Sequence, residues 1–175
     1  AGLEGDQERA QAVANFAGKR DIPSPNAQEA IGFYLGHGGA DQALTIALET
    51  GNREYFQKKG LADLIGALKD EDVSRAADIS KAMSQFEPGY ANIELTLKAS
   101  LDHKSLAVKA DAYRHARVFA KEVGEDGLVR QLYVMESYTN HEHFFRARDI
   151  ASLRRMVSQA KVIGNDDLMM DARAK

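Results

Sequence analysis

Tyr34-Leu35-Gly36-His37-Gly38-Gly39-Ala40-Asp41-Gln42-Ala43-Leu44-Thr45-Ile46-Ala47-Leu48-Glu49-Thr50-Gly51-Asn52 is the stretch on which the fold turns. Upstream of it, Ala30, Ile31, Phe33, Tyr34 and Leu35 recur at the spacing of one helical face. Gly38 and Gly39 then allow the left-handed residue that ends a helix. Past the turn, Ala43, Leu44, Ile46, Ala47 and Leu48 form a second apolar face, and Gly51-Asn52 stops it. Two short helices joined by so tight a turn must lie antiparallel, and the small Ala43 lets them approach closely.

The same alternation of apolar helical faces and glycine or proline breaks continues outward in both directions. Before the stretch, Asp6 to Arg20 has helical spacing and is stopped by the loop from Asp21 to Asn26 with Pro23 and Pro25. Asn26 caps the next helix, with Glu29 three residues on. After it, Arg53 to Lys59 begins a helix that Gly60 interrupts, and Leu61 to Leu68 forms another. Asp70-Glu71-Asp72 place negative charge at the start of a helix lined by Val73, Ala76, Ala77, Ile79, Ala82, Met83 and Phe86. Pro88 breaks it. Tyr90 to Leu101, Ser105 to Val123, a helix opened by Glu125-Asp126 and weakly broken at Thr139-Asn140, and Phe144 to Ile163 follow. A tail from Asp166 to Lys175 holds Leu168, Met169 and Met170. The expectation is nine or ten helices and no strand.

Composition agrees. The 175 residues are 44% hydrophobic and 28% charged, which suits one folded all-helical domain over 1–175. The first residue is alanine, so a processed chain or part of a longer protein is expected. A net charge of −3 and a pI near 6.0 give no global attraction to nucleic acid. Cysteine is absent, which removes disulfides, thiolate metal sites and cysteine nucleophiles, and suits a reducing compartment; the cytoplasm is the expected setting, with a secreted or periplasmic one as the alternative. No apolar run has the roughly 18 residues of a membrane span.

Tyr34, Gly38 and Ala43 stand where the helix–turn–helix unit of tetratricopeptide-type solenoids has its aromatic, its turn glycine and its small residue. The segment resembles that unit and its relatives in coatomer, clathrin and intraflagellar-transport scaffolds. No period of about 34 residues runs through the rest of the chain. The resemblance therefore implies a short, irregular α-solenoid of stacked antiparallel helix pairs, with a compact helical bundle as the alternative. It also implies a scaffold or interaction role with a protein or peptide partner.

Catalytic patterns are missing. There is no His-Glu-x-x-His, no P-loop around His37-Gly38-Gly39 and no Gly-x-Ser-x-Gly. His141-Glu142-His143 is the densest set of possible ligands. With His115 and Asp149 it forms the alternative reading, a helical-bundle enzyme or a metal- or small-ligand-binding protein, but on a helix residues two apart diverge by about 200°. Arginines on two helices offer a basic stripe for an acidic peptide. Tyr113, Arg117, Arg148 and Arg155 are the binding candidates, with arginine supplying paired hydrogen bonds and tyrosine an amphipathic surface. No cofactor is expected.

Overall fold

The computed structural model describes residues 25–147 and 150–163. The expected helix from Asp6 to Arg20, the loop before Pro25, Arg148, Asp149 and the tail lie outside the described residues. Eight helices occur among the described ones, with no strand: α1 (Pro25–Gly36), α2 (Ala40–Glu49), α3 (Arg53–Lys69), α4 (Val73–Met83), α5 (Gly89–Asp102), α6 (Leu106–Glu122), α7 (Asp126–Ala147) and α8 (Ile150–Ile163). The all-α architecture of stacked helix pairs is as expected. No described helix is long and apolar enough to cross a membrane.

The Tyr34–Asn52 stretch folds as a helical pair. The backbone N–H of Gly39 donates to the Tyr34 carbonyl at 2.7 Å and closes the turn. A Cβ on Gly39 would stand 2.6 Å from Cδ1 of Tyr34, so the buried tyrosine ring occupies the space a side chain would need. Ala40, Ala43, Ile46 and Ala47 form the buried side of α2. At the far end of α2, the Asn52 amide donates to the Thr50 hydroxyl at 2.8 Å and accepts from Gln28 of α1 at 3.3 Å. These bonds satisfy buried polar groups between α1 and the start of α3.

Two expected breaks are not breaks. Gly60 sits inside the continuous helix α3, where a Cβ would lie 2.8 Å from Sδ of Met83. Its role is close packing against α4, not termination. Thr139 and Asn140 likewise lie within α7. The Thr139 hydroxyl donates to the Met135 carbonyl at 2.8 Å, and Asn140 bonds across to α8. Side-chain polarity that reads as a helix stop in sequence is used here inside the helix. Phe144 consequently belongs to α7, and the following helix begins at Ile150. The first described helix starts at Pro25, a good first helical position, one residue before the expected cap.

Successive helices pack on each other, and α1 with α3 and α2 with α4 stack pair on pair. The chain then turns back, and α7 packs on α3. One core of buried residues runs from α1 to α7, including Ile31, Leu35, Phe56, Leu64, Ile79, Ile93, Leu97, Leu128 and Leu132. Helix α8 contributes a separate small cluster around Met156 and Ala160.

The turn after α3 differs from the others. Gly38, Gly51 and Gly124 take positive φ in the turns after α1, α2 and α6, whereas Glu71 holds φ 58° in the turn after α3. Its N–H donates to the Leu68 carbonyl at 3.2 Å, and Asp72 N–H to Ala67 at 2.9 Å, closing the helix end. Asp72 then caps α4, its carboxylate accepting from Arg75 N–H at 3.1 Å. A side chain in the left-handed region costs more than the backbone freedom glycine loses. Glu71→Gly is therefore expected to stabilise the fold by about 0.5–1 kcal/mol. Urea titration checks this, and an unchanged or lower midpoint would contradict it.

Candidate functional site

The return of α7 to α3 leaves an open cleft of about 410 Å³ between the end of α3, the start of α4, the end of α5, the start of α6 and the middle of α7. Its floor is Leu68, Ser100 and Tyr113, all buried. The Tyr113 and Ser100 hydroxyls are hydrogen-bonded, and burial, with the nearby Glu71 carboxylate adding to it, pushes the Tyr113 phenol above its ordinary value. Leu106, Val134 and Met135 form half-buried walls. Leu101 and Tyr138 stand at the rim, 47% and 54% exposed. Lys69, Glu71, Lys109 and Glu142 place charge around this apolar surface.

Helical geometry explains the α7 side. Gln131, Met135, Tyr138 and Glu142 are spaced by four, three and four residues and share one face. Ser137 and Asn140 face the other way, toward α8. Val134, Met135 and Tyr138 give the cleft side its apolar surface, next to the row of Leu128 and Leu132 that is buried in the main core. One row packs and the other lines the cleft.

The binding candidates do not share one surface. Tyr113 is in the cleft floor. Arg117 points between α6 and α7, where its Nε donates to Oε2 of Glu136 at 3.1 Å and its guanidinium lies 3.7 Å over the Tyr133 ring. Arg155 donates to Asp111 at 3.3 Å and ties α8 to α6, and Arg114 reaches the same Asp111 oxygen at 3.3 Å. Arg148 lies outside the described residues. Arg114, Arg117 and Arg155 are thus matched by Asp111 and Glu136, and Arg146 by Glu142. His115 is exposed on α6, its Nδ1 2.7 Å from the Asp111 carbonyl oxygen. His141 and His143 fall in the C-terminal third of α7, not at a helix start, on diverging directions. Among the described residues no three His, Asp or Glu side chains gather as a metal site.

The buried polar network beside the cleft was not anticipated. Glu136 is 1% exposed. It bonds to Arg117 of α6 and Gln159 of α8. Gln159 Oε1 accepts from Asn140 Nδ2 at 3.1 Å and from Ser137 Oγ at 3.4 Å. Burial raises the Glu136 carboxyl above its ordinary 4.5, with Arg117 opposing the rise. Comparison with family models, curated proteins and solved structures finds no match.

The raised carboxyl has a stability consequence. Because the folded state holds the Glu136 proton more tightly than the unfolded chain does, its contribution is full below the ordinary value and is lost as pH rises through the folded one. Glu136→Gln carries no such loss, but leaves Arg117 without its counter-charge at every pH. The stability advantage of wild type over Glu136→Gln is therefore expected to shrink from pH 4 to pH 7. Urea unfolding of both proteins along that range measures it, and an advantage that grows with pH would contradict the raised carboxyl.

Proposed function

We propose that this chain is a protein-interaction domain that seats an apolar-faced peptide or partner helix in the cleft between α3, α5, α6 and α7. The observation that carries this is the exposed pair Leu101 and Tyr138 beside the half-buried Leu106, Val134 and Met135. Aromatic and aliphatic side chains around a concave floor are what a partner helix needs for its anchors. The floor hydroxyls of Tyr113 and Ser100 and the ring of charges supply the polar edge that fixes orientation. The pairwise stacking of α1/α2 on α3/α4 supports the solenoid-like reading of the first half of the chain.

Tyr138 replaces the arginines as the leading contact in this reading, while Tyr113 keeps its place. Arg117 and Arg155 are assigned to holding α6, α7 and α8 together. The two roles separate experimentally. Peptides selected against the wild-type protein from a random display library are expected to bind Tyr138→Glu and Leu101→Glu at least tenfold more weakly, about 1.4 kcal/mol. Both positions are exposed, so thermal midpoints should hold to within about 2 °C. Undiminished binding to both variants would refute the cleft as the docking surface.

A further inference from the structure

The cleft combines apolar surface with a particular balance of charge. Of the charged side chains that line it, Glu142 is held by Arg146. Lys69 and Lys109 meet no carboxylate at ion-pair distance among the described residues. Lys109 is half-buried in the first turn of α6, and Lys69 stands at the end of α3. Glu71 is the single opposing charge. An occupant with apolar side chains between carboxylates would satisfy both lysines while covering Leu106, Val134, Met135 and Tyr138.

The chain carries such a segment. After α8 it reads Gly164-Asn165-Asp166-Asp167-Leu168-Met169-Met170-Asp171, three apolar residues between aspartates. Methionine is unbranched and polarizable, and adapts to an irregular apolar floor. The course of α8 sets the distance to be covered. Helix α8 runs back along α7, with Gln159 meeting Ser137 and Asn140. Ile163 lies about 6 Å further on, level with Val134 and Met135 of the cleft wall. Half the circumference of a helix about 10 Å across is about 16 Å. Extended chain from Gly164 to Leu168 spans about 17 Å, enough to round α7.

The segment before α1 is worse placed. Gln28 of α1 bonds to Asn52 at the start of α3, whereas the cleft lies at the end of this 17-residue helix, about 25 Å away. Lys19 and Arg20 would also bring cations toward two lysines.

We propose that Leu168, Met169 and Met170 of this chain occupy the cleft, with Asp167 and Asp171 beside Lys69 and Lys109, and that an outside partner binds by displacing them. This rests on the cleft being the docking surface. The segment acts as a tethered competitor, so the affinity for a partner is set by the difference between the two occupants.

The chain has no cysteine, so two can be introduced into the full-length protein without interference. Tyr138→Cys at the rim is paired with Met170→Cys. Val118→Cys, exposed on α6 outside the cleft, with Met170→Cys is the control. Thermal midpoints of the reduced variants within about 2 °C of wild type establish folding. Under mild oxidation at micromolar concentration, the 138–170 pair should form an intramolecular disulfide about tenfold faster than the control. Lys69→Glu with Lys109→Glu should slow it roughly threefold, and adding Asp167→Lys with Asp171→Lys should restore the rate. Peptides selected on the wild-type protein should bind the oxidised 138–170 form about tenfold more weakly than the reduced form. Equal rates for the two cysteine pairs, with peptide binding still sensitive to Tyr138→Glu, would overturn the tethered occupant and leave the cleft standing. Disulfide-linked dimers instead of monomers would overturn it in favour of a second copy's segment. A rate indifferent to the charge reversals would overturn the pairing of lysine with aspartate. Fast intramolecular closure with no selected peptide at all would uphold the tethered occupant and overturn the outside partner.

Discussion

Helix α3 buries Phe56, Gly60, Leu64, Ala67 and Leu68 on one face, and the half-buried Leu61 and Ile65 extend its apolar arc to about half the circumference. A helix with so much of its circumference apolar cannot be covered by one neighbour. Helices α1, α2 and α4 pack on it from the near part of the chain, and α7 returns to complete the cover. Burying a leucine of this kind stabilises the fold by about 2 kcal/mol. The need to cover α3 thus determines where α7 runs. The contact is close: a Cβ on Gly127 at the start of α7 would stand 3.3 Å from Cδ1 of Ile65 on α3. The cleft follows from the same constraint, because α7 crosses the end of α3 and leaves Val134 and Met135 only half-buried and Tyr138 exposed beside the packed row.

The last described helix is joined to the rest by different forces. Its apolar cluster around Met156 and Ala160 is separate from the main core. Across the interface, Gln159 meets Ser137, Asn140 and Glu136, while Arg155 meets Asp111. Such polar contacts contribute modest net stability and strict geometry, since each buried group must keep its partner. Helix α8 is positioned by directional bonds, the earlier helices by packing. Arginines that look free in the linear chain are spent on this positioning.

The turn after α3 lies at the edge of the cleft. Its left-handed residue is a backbone necessity, and glycine is the low-cost solution used after α1, α2 and α6. Glutamate at that place gives up stability and sets a carboxylate at the edge of the cleft. Strain of this kind is tolerated when the surrounding backbone holds the residue in place, as the paired hydrogen bonds from Glu71 and Asp72 do here.

Most of the secondary structure was legible in the chain, because helical periodicity, caps and glycine stops are local signals. The pair at Tyr34 to Asn52, the Asp72 start of α4 and the Pro88 break could all be read directly. Gly60, Thr139 and Asn140 misled because a breaker's local cost is outweighed by what it does against another helix, and that partner is distant in sequence. The cleft was only half legible: Tyr113 could be chosen by residue type, but Arg117 could not be separated from a surface cation without seeing Glu136. Residue order alone settled that the chain forms short antiparallel helices with apolar faces. Which faces meet, which charges are spent and which apolar row stays open were decided by the return of α7 to α3, because burial and ion pairing depend on neighbours that sequence spacing does not specify.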